Sequence, residues 1–279
     1  MFDENFRVCF ADTPFGVALH QRIRYQVFCI DRGFEDPNAF STAQETDAWD
    51  DQSAHFIVQN KETQQWVAAT RIVLPRPEKP LPVDSLGVFD RGRLDAPHCR
   101  IAEISRFCII RNRAPAQANI GMHPEPNSLE DWGIGPVGKA QQFEVTLGMI
   151  RTFIVFLLKR DIVYSVMLVT EAFARLLRKL GFVLTQVGPA IEHRGMRTAY
   201  LIDMRETAMS MAKKSSAVRG LFRHSNHAYM RISNVAANNT VDYVSEYAPD
   251  HSLFNETVFR ETVLLPADKD SDLQADLGR

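Results

Sequence analysis

Residues 101–111 read Ile-Ala-Glu-Ile-Ser-Arg-Phe-Cys-Ile-Ile-Arg, a β-branched and apolar run with a carboxylate, a hydroxyl and a guanidinium at its centre. A buried strand excludes unpaired charge, because an ion held away from water without a partner is costly. Glu103 and Arg106 therefore either neutralise one another or serve a site. Side chains of a regular strand alternate faces, so Glu103, Ser105 and Phe107 share one face and Arg106 lies opposite. The two charged groups can serve one cavity only where the strand twists, bends or carries a bulge. A partly exposed edge strand with solvated charges accounts for the same residues. The rest of the chain has to decide between these readings.

Upstream, Ala54–Gln59 and Trp66–Leu74 are strand-like and joined by a polar turn, as in a hairpin, with Arg71 interrupting the second strand. Before the hairpin, Thr13-Pro14 is an N-cap followed by an N1 proline and opens a helix to about Cys29, which Gly33 ends. Phe15, Leu19, Ile23 and Val27 recur at four-residue spacing and form its core stripe, while Arg24 and Phe28 lie together on a neighbouring face. Residues 32–53 form a long polar loop carrying the acidic run Glu45-Thr46-Asp47-Ala48-Trp49-Asp50-Asp51. It is either a solvated loop or a charge clamp for a cationic or amine-bearing substrate, walled by Phe34 and Trp49.

Downstream, Pro75–Pro82 is an extended connection, and residues 112–137 form a second long loop. Gly133, Gly135 and Gly138 precede a largely buried helix over 139–160. Their amides are placed as in a turn, or as in a cradle for an anion or a pantetheine amide, although Pro136 removes one donor. Ile162–Val169 is a buried strand, and Thr170 caps a short helix, Glu171–Leu180, closed by Gly181. Val183–Val187 and Thr198–Asp203 are further strands around a polar loop, Pro189–Arg197. These elements make residues 1–205 one domain, followed by a helical, partly basic extension over 206–265 and an acidic, polar, disordered tail over 266–279.

The totals bound the class. The chain has 279 residues, 45% hydrophobic and 24% charged, with a net charge of −2, so it is globular and lacks the basic footprint of a nucleic-acid binder. Cys9, Cys29, Cys99 and Cys108 show no paired spacing, which points to a reduced, cytoplasmic compartment without a zinc site. The first residues do not read as a signal peptide, and the apolar region 145–169 is interrupted by Arg151, Lys159, Arg160 and Asp161, too charged for a membrane span. No GxSxG elbow, P-loop, HExxH or Rossmann fingerprint occurs, and the histidines, His224 and His227 included, are dispersed.

The element order, together with Phe173-Ala-Arg-Leu-Leu-Arg-Lys-Leu-Gly-Phe182, resembles the acetyltransferase (GNAT) superfamily. The first 110 residues resemble its acyl-homoserine lactone (autoinducer) synthases. Arg24 and Phe28 match their Arg-x-x-x-Phe helix, Asp47 and Asp50 their paired aspartates, Arg71 their strand arginine, and Glu103, Ser105, Arg106 and Phe107 their Glu-x-Ser-Arg-Phe strand. The chain departs from them at Phe34, where they carry tryptophan, and in its C-terminal extension. Val187–Arg197 is similar to the late loop of N-acyl amino acid synthases and of PEP-CTERM exosortase-system-associated acyltransferases. That puts S-adenosylmethionine as acceptor in doubt.

The resemblance implies a GNAT-like α/β fold, a central twisted mixed sheet flanked by helices, and transfer of a fatty acyl group to an amine. It implies a donor on acyl carrier protein, or less readily on coenzyme A, an amino acid or related acceptor, and no tightly bound cofactor or metal. Glu103 is then the candidate general base, with Arg106 and Ser105 beside it in the catalytic group. Arg24, Phe28, Phe34, Asp47, Asp50, Arg71 and Phe107 are the substrate-binding set. Arg151, Lys159, Arg160, Arg175, Arg178 and Lys179 are candidates for docking an acidic carrier. The alternatives are a true homoserine lactone synthase and a non-catalytic acyl- or carrier-binding protein.

Overall fold

The computed structural model describes residues 2–89, 91, 101–112, 129, 131–223, 229–235 and 241–245. The expectations for Cys99, His224, His227 and the tail from Pro266 lie outside the described residues. The first half runs α1 (Phe2–Asn5), β1 (Phe6–Phe10), α2 (Pro14–Tyr25), β2 (Ser53–Asn60), β3 (Trp66–Val73), α3 (Pro82–Ser85) and β4 (Ile101–Ile109). The second runs α4 (Lys139–Leu158), β5 (Tyr164–Val169), α5 (Glu171–Leu180), β6 (Leu184–Glu192), β7 (Met196–Asp203), α6 (Met204–Lys214), α7 (Ser216–Arg223), β8 (Met230–Val235) and β9 (Val241–Ser245). Among the described residues the strands form one mixed sheet in the order β6-β7-β5-β4-β3-β2-β1-β8-β9. Two neighbouring pairs, β4/β5 and β1/β8, are parallel.

Helix α4 covers one face. Its interior is apolar on nearly every side, from Val145 through Leu157, as befits a helix enclosed by its surroundings. It packs with Phe56, Val58, Ile72 and Ile104 of the sheet and with Met204, Ala208 and Met211 of α6. By length and composition α4 is apolar enough to cross a membrane, and here most of that surface is buried inside the protein. Phe2 seats against α4 at Gly148, where any side chain would collide with the ring. Helix α2 and the turn that follows it cover the other face, packing Leu19, Ile23 and Val27 on Cys9, Ile57, Ala69 and Cys108. Cys9, Cys29 and Cys108 are free and buried, and act as small apolar fillers.

Several local readings hold closely. Thr13 Oγ1 accepts from the Gly16 N–H at 3.1 Å, and Thr170 caps α5, whose end is Gly181 at φ 107°. Others change. Strand β1 is not evident in the short N-terminal run, yet it pairs with β2 along all five of its residues. The stretch 189–197 is mostly ladder, because β6 continues to Glu192 past a register shift between Gln186 and Ala190. The region read as a helical extension contains α7 but also β8 and β9, which widen the sheet beside β1. Phe222 and Tyr229 join the core beneath α4, so this region shares the core of the preceding elements.

Candidate active site

The site is built on a bulge in β4. Register runs Val73↔Glu103, Ile72↔Ile104 and Arg71↔Ser105, then shifts so that Ala69 faces Cys108. Arg106 takes φ 52°, the left-handed conformation in which a non-glycine residue is uncommon. The extra residue breaks the alternation. Directly paired residues share a face, so Glu103, Ser105 and Arg71 look toward α2. After the bulge Cys108 also faces α2, whereas Phe107 and Ile109 pack with the α4 side. The simple alternation that placed Arg106 opposite Glu103 is thereby overturned, and Arg106 turns to the α2 face. Phe107 leaves the site for the other face, 5.7 Å from the Phe173 ring of α5.

Arg106 meets the acidic loop there. Its Nε and Nη2 grip Glu45 at 3.1 Å and 2.8 Å, and Nη2 also reaches Asp47 at 3.0 Å. Arg24, fully buried on α2, donates from Nε to Glu45 and from Nη1 to Asp50 at 2.6 Å. Arg71, also fully buried, donates from Nη1 to Asp47 and Asp50 and from Nε to Ser105 Oγ at 3.2 Å. Three guanidiniums and three carboxylates thus interlock, and residues 45–50 are held across the sheet. Ser105 orients Arg71 rather than standing free as a nucleophile. Burial raises the Glu45 pKa, but the hydrogen bonds and charges of Arg106 and Arg24 outweigh it and hold Glu45 down at about 2. Asp47 is held low in the same way by Arg71, Arg106 and Arg24.

Glu45 is the member of this network that the sequence reading did not single out. Its signal was slight: it stands two residues before Asp47 in a polar run, yet it is 1% exposed. Buried histidines back the network. His20 Nε2 meets the Thr70 carbonyl at 3.2 Å, and His55 Nε2 meets the Asp50 carbonyl at 3.0 Å. Burial lowers both histidine pKa values, so they stay neutral.

The aromatic wall is set by the end of α2. Past Tyr25 the helix widens into a π-turn over Gln26–Asp31, a departure common at functional sites. The Phe28 carbonyl then accepts from the Phe34 N–H at 2.7 Å, which brings the two rings into a stack with centroids 6.4 Å apart. Arg106 lies over Phe28 at 5.6 Å. The turn between β6 and β7 closes this side: Arg194 pairs with Glu35, and Arg197 lies over Phe34 at 5.7 Å.

Glu103 sits apart from the interlocked charges. Its carboxylate is 4% exposed and accepts the Val83 N–H at 2.8 Å. Burial pushes its pKa up to about 7, against the opposing effects of that hydrogen bond and of Arg71. It is also the last residue of β4 that pairs with β5. Ile101, Ala102 and Glu103 pair with Tyr164, Ser165 and Val166, and then the strands part, Met167–Val169 pairing only with β7. Glu103 therefore stands at the apex of a splay between two parallel strands.

Two amides of the glycine loop are taken up by neighbouring backbone. The Gly135 N–H goes to the Trp66 carbonyl at 3.1 Å and the Val137 N–H to Ile110 at 3.0 Å. Of the candidate docking cations, Arg151 is 1% exposed and paired with Asp3, because the apolar face of α4 turns it into the protein. It is not available to a carrier. Arg178 is on the surface, paired with Glu171.

Residues 23–116 match the acetyltransferase (GNAT) domain model. No curated protein matches by sequence. Among solved structures, the chain resembles a CoA-dependent acyl-homoserine lactone synthase, BjaI, solved with SAM and isopentyl-CoA: 14% identity, 84% of this chain and 96% of that one, TM-score 0.53. It also resembles TofI, solved with an inhibitor and MTA: 18% identity, 77% and 99% coverage, TM-score 0.51. FeeM, an N-acyl amino acid synthase from uncultured soil microbes, aligns at 15% identity over 75% of this chain and 97% of that one, with a TM-score of 0.49. The chain shares the fold of these synthases, and residues 23–116 within it match the GNAT domain model.

Proposed function

We propose that the protein moves a fatty acyl group from a thioester to the amine of an amino acid or related small molecule, with acyl carrier protein as donor in preference to coenzyme A. The observation that carries this reading is Glu103, a buried carboxylate with a pKa of about 7 at the apex of the β4/β5 splay. A base poised near neutral pH suits removal of a proton from an amine as it attacks. The amine nitrogen bonds to the thioester carbonyl carbon, and its proton passes to Glu103 directly or through one water. The tetrahedral oxyanion takes a backbone N–H from a strand edge. The C–S bond then breaks, and the departing thiolate takes the proton back from Glu103. An extended pantetheine arm suits the parted edges, since strand addition satisfies main-chain groups. The amides of Gly135 and Val137, spent on backbone carbonyls, are not offered to the pyrophosphate of coenzyme A.

The interlocked Arg24, Arg71, Arg106, Glu45, Asp47 and Asp50 hold the loop over this site, with Phe28 and Phe34 as its wall. A second reading, a non-catalytic acyl-binding protein, draws on the same burial of Glu103. The two separate in one assay: purified protein, acyl carrier protein or coenzyme A thioesters of several chain lengths, and a panel of amino acids. N-acyl product formed faster from the carrier thioester supports the proposal. Equal or faster use of acyl-coenzyme A overturns the donor assignment, and thioester binding without product supports the second reading. Product only with S-adenosylmethionine makes the protein a lactone synthase.

A further inference from the structure

Across the loop network and the β6/β7 turn, four carboxylates are held by guanidiniums, while Glu192 at the end of β6 is exposed and accepts the Gly195 N–H at 2.9 Å. Glu45, Asp47 and Asp50 are taken up by Arg24, Arg71 and Arg106, and Glu35 by Arg194. Arg197 has no ion-pair partner among the described residues. Its Nε is buried with no hydrogen-bond partner, and its Nη2 has a 3.4 Å contact to the Arg194 carbonyl. Burial, then the like charges of Arg194 and Arg106, hold its pKa below the ordinary range. His193, beside Arg194 at 3.2 Å, is kept neutral by its own burial and by the same cations, and adds no negative charge. A half-buried guanidinium with an unused donor, facing two other cations, is the environment of a group that awaits an anion.

We propose that Arg197 receives the free carboxylate of the acceptor, so that the enzyme selects amines that carry an acid group. This rests on the amine acyltransferase reading above. Three features fit a carboxylate. Arg197 carries one charge with no ion-pair partner among the described residues, and a carboxylate would cancel it. The unused Nε and its neighbouring Nη form an edge that matches two oxygens side by side. The guanidinium lies over Phe34, in the aromatic wall that Arg106 also borders through Phe28. Phosphate of the donor is the other source of an anion, and the test has to tell them apart.

The test is steady-state kinetics on the full chain with one acyl carrier thioester and two matched acceptors, an amino acid and its carboxamide. The wild-type protein is expected to prefer the acid by at least about 10-fold in kcat/KM, as a charge-assisted pair implies. Arg197→Gln should raise the acceptor KM by a similar factor, leave kcat nearly unchanged, and abolish the preference; Arg197→Lys should restore part of it. A wild-type enzyme indifferent to the carboxylate overturns the inference even if no variant folds. A rise in the donor KM with the acceptor KM unchanged assigns Arg197 to the phosphate and also overturns it. Failure to acylate any amine, acid or amide, overturns the acyltransferase reading itself.

Discussion

Glu45 is shared by two guanidiniums, so its removal tests whether the interlocked charges hold the loop to the sheet. In Glu45→Ala, Arg24 keeps Asp50 at 2.6 Å and Arg106 keeps Asp47 at 3.0 Å, but each loses its strongest grip. Arg24 is wholly buried and its Nη2 already makes no hydrogen bond, so it cannot recover the lost contact from solvent. Breaking a buried pair by deleting one partner costs about 3–5 kcal/mol, and the remaining aspartates place this case near 3 kcal/mol. For a chain of this size that is a fall in Tm of about 6–12 °C. The matched control lies in the same loop: Asp51 is 64% exposed and pairs with Lys79 on the surface. Asp51→Ala should move Tm by no more than about 2 °C. Thermal unfolding of the two variants beside the parent at pH 7.5 measures the difference. A Glu45→Ala protein that melts with the Asp51→Ala protein refutes the assigned role of the network.

Further outcomes follow from the geometry. Glu103 has a raised folded-state pKa, so its base form fills as pH rises, and kcat should climb with an acid limb near pH 7 that Glu103→Gln removes. The same shift means that ionised Glu103 opposes folding progressively above the unfolded value of 4.5, so Glu103→Gln should melt no lower than the parent at pH 8. Glu45 has the opposite sign: its stabilisation is whole above pH 4.5 and is lost as pH falls toward about 2, so acid unfolding should begin in that window. Thr170→Ala removes a cap on the Phe173 N–H and should cost about 1 kcal/mol, read from denaturant midpoints, without changing kcat.

The helix and strand order was legible because it rests on local signals: the Thr13-Pro14 start, the Thr170 cap, the Gly181 stop, and apolar runs of helix or strand length. What failed was long-range. Phe6–Phe10 is five residues long with a charged second position, and only its pairing with β2 makes it a strand. The bulge at Arg106 depends on the register against β3, which no local pattern reports, so the faces of Arg106 and Phe107 were read the wrong way round. The sequence did state the condition, that Glu103 and Arg106 could meet only across a bulge, and it named nearly all of the interlocked charges. Glu45 escaped because a glutamate in a polar loop looks solvated until two buried arginines are placed against it. Arg197 escaped because its loop became a strand turn that folds back over Phe34.

The central claim, acyl transfer to an amine with Glu103 as the base, is tested most directly by mass spectrometry of lipid extracts. Cells expressing the full chain are compared with cells expressing Glu103→Gln at equal soluble level. The account predicts an N-acyl amino acid in the first and a loss of roughly 10²-fold or more in the second. The same lipid at undiminished level in the variant would contradict the role of Glu103, and an acyl-homoserine lactone in its place would contradict the acceptor.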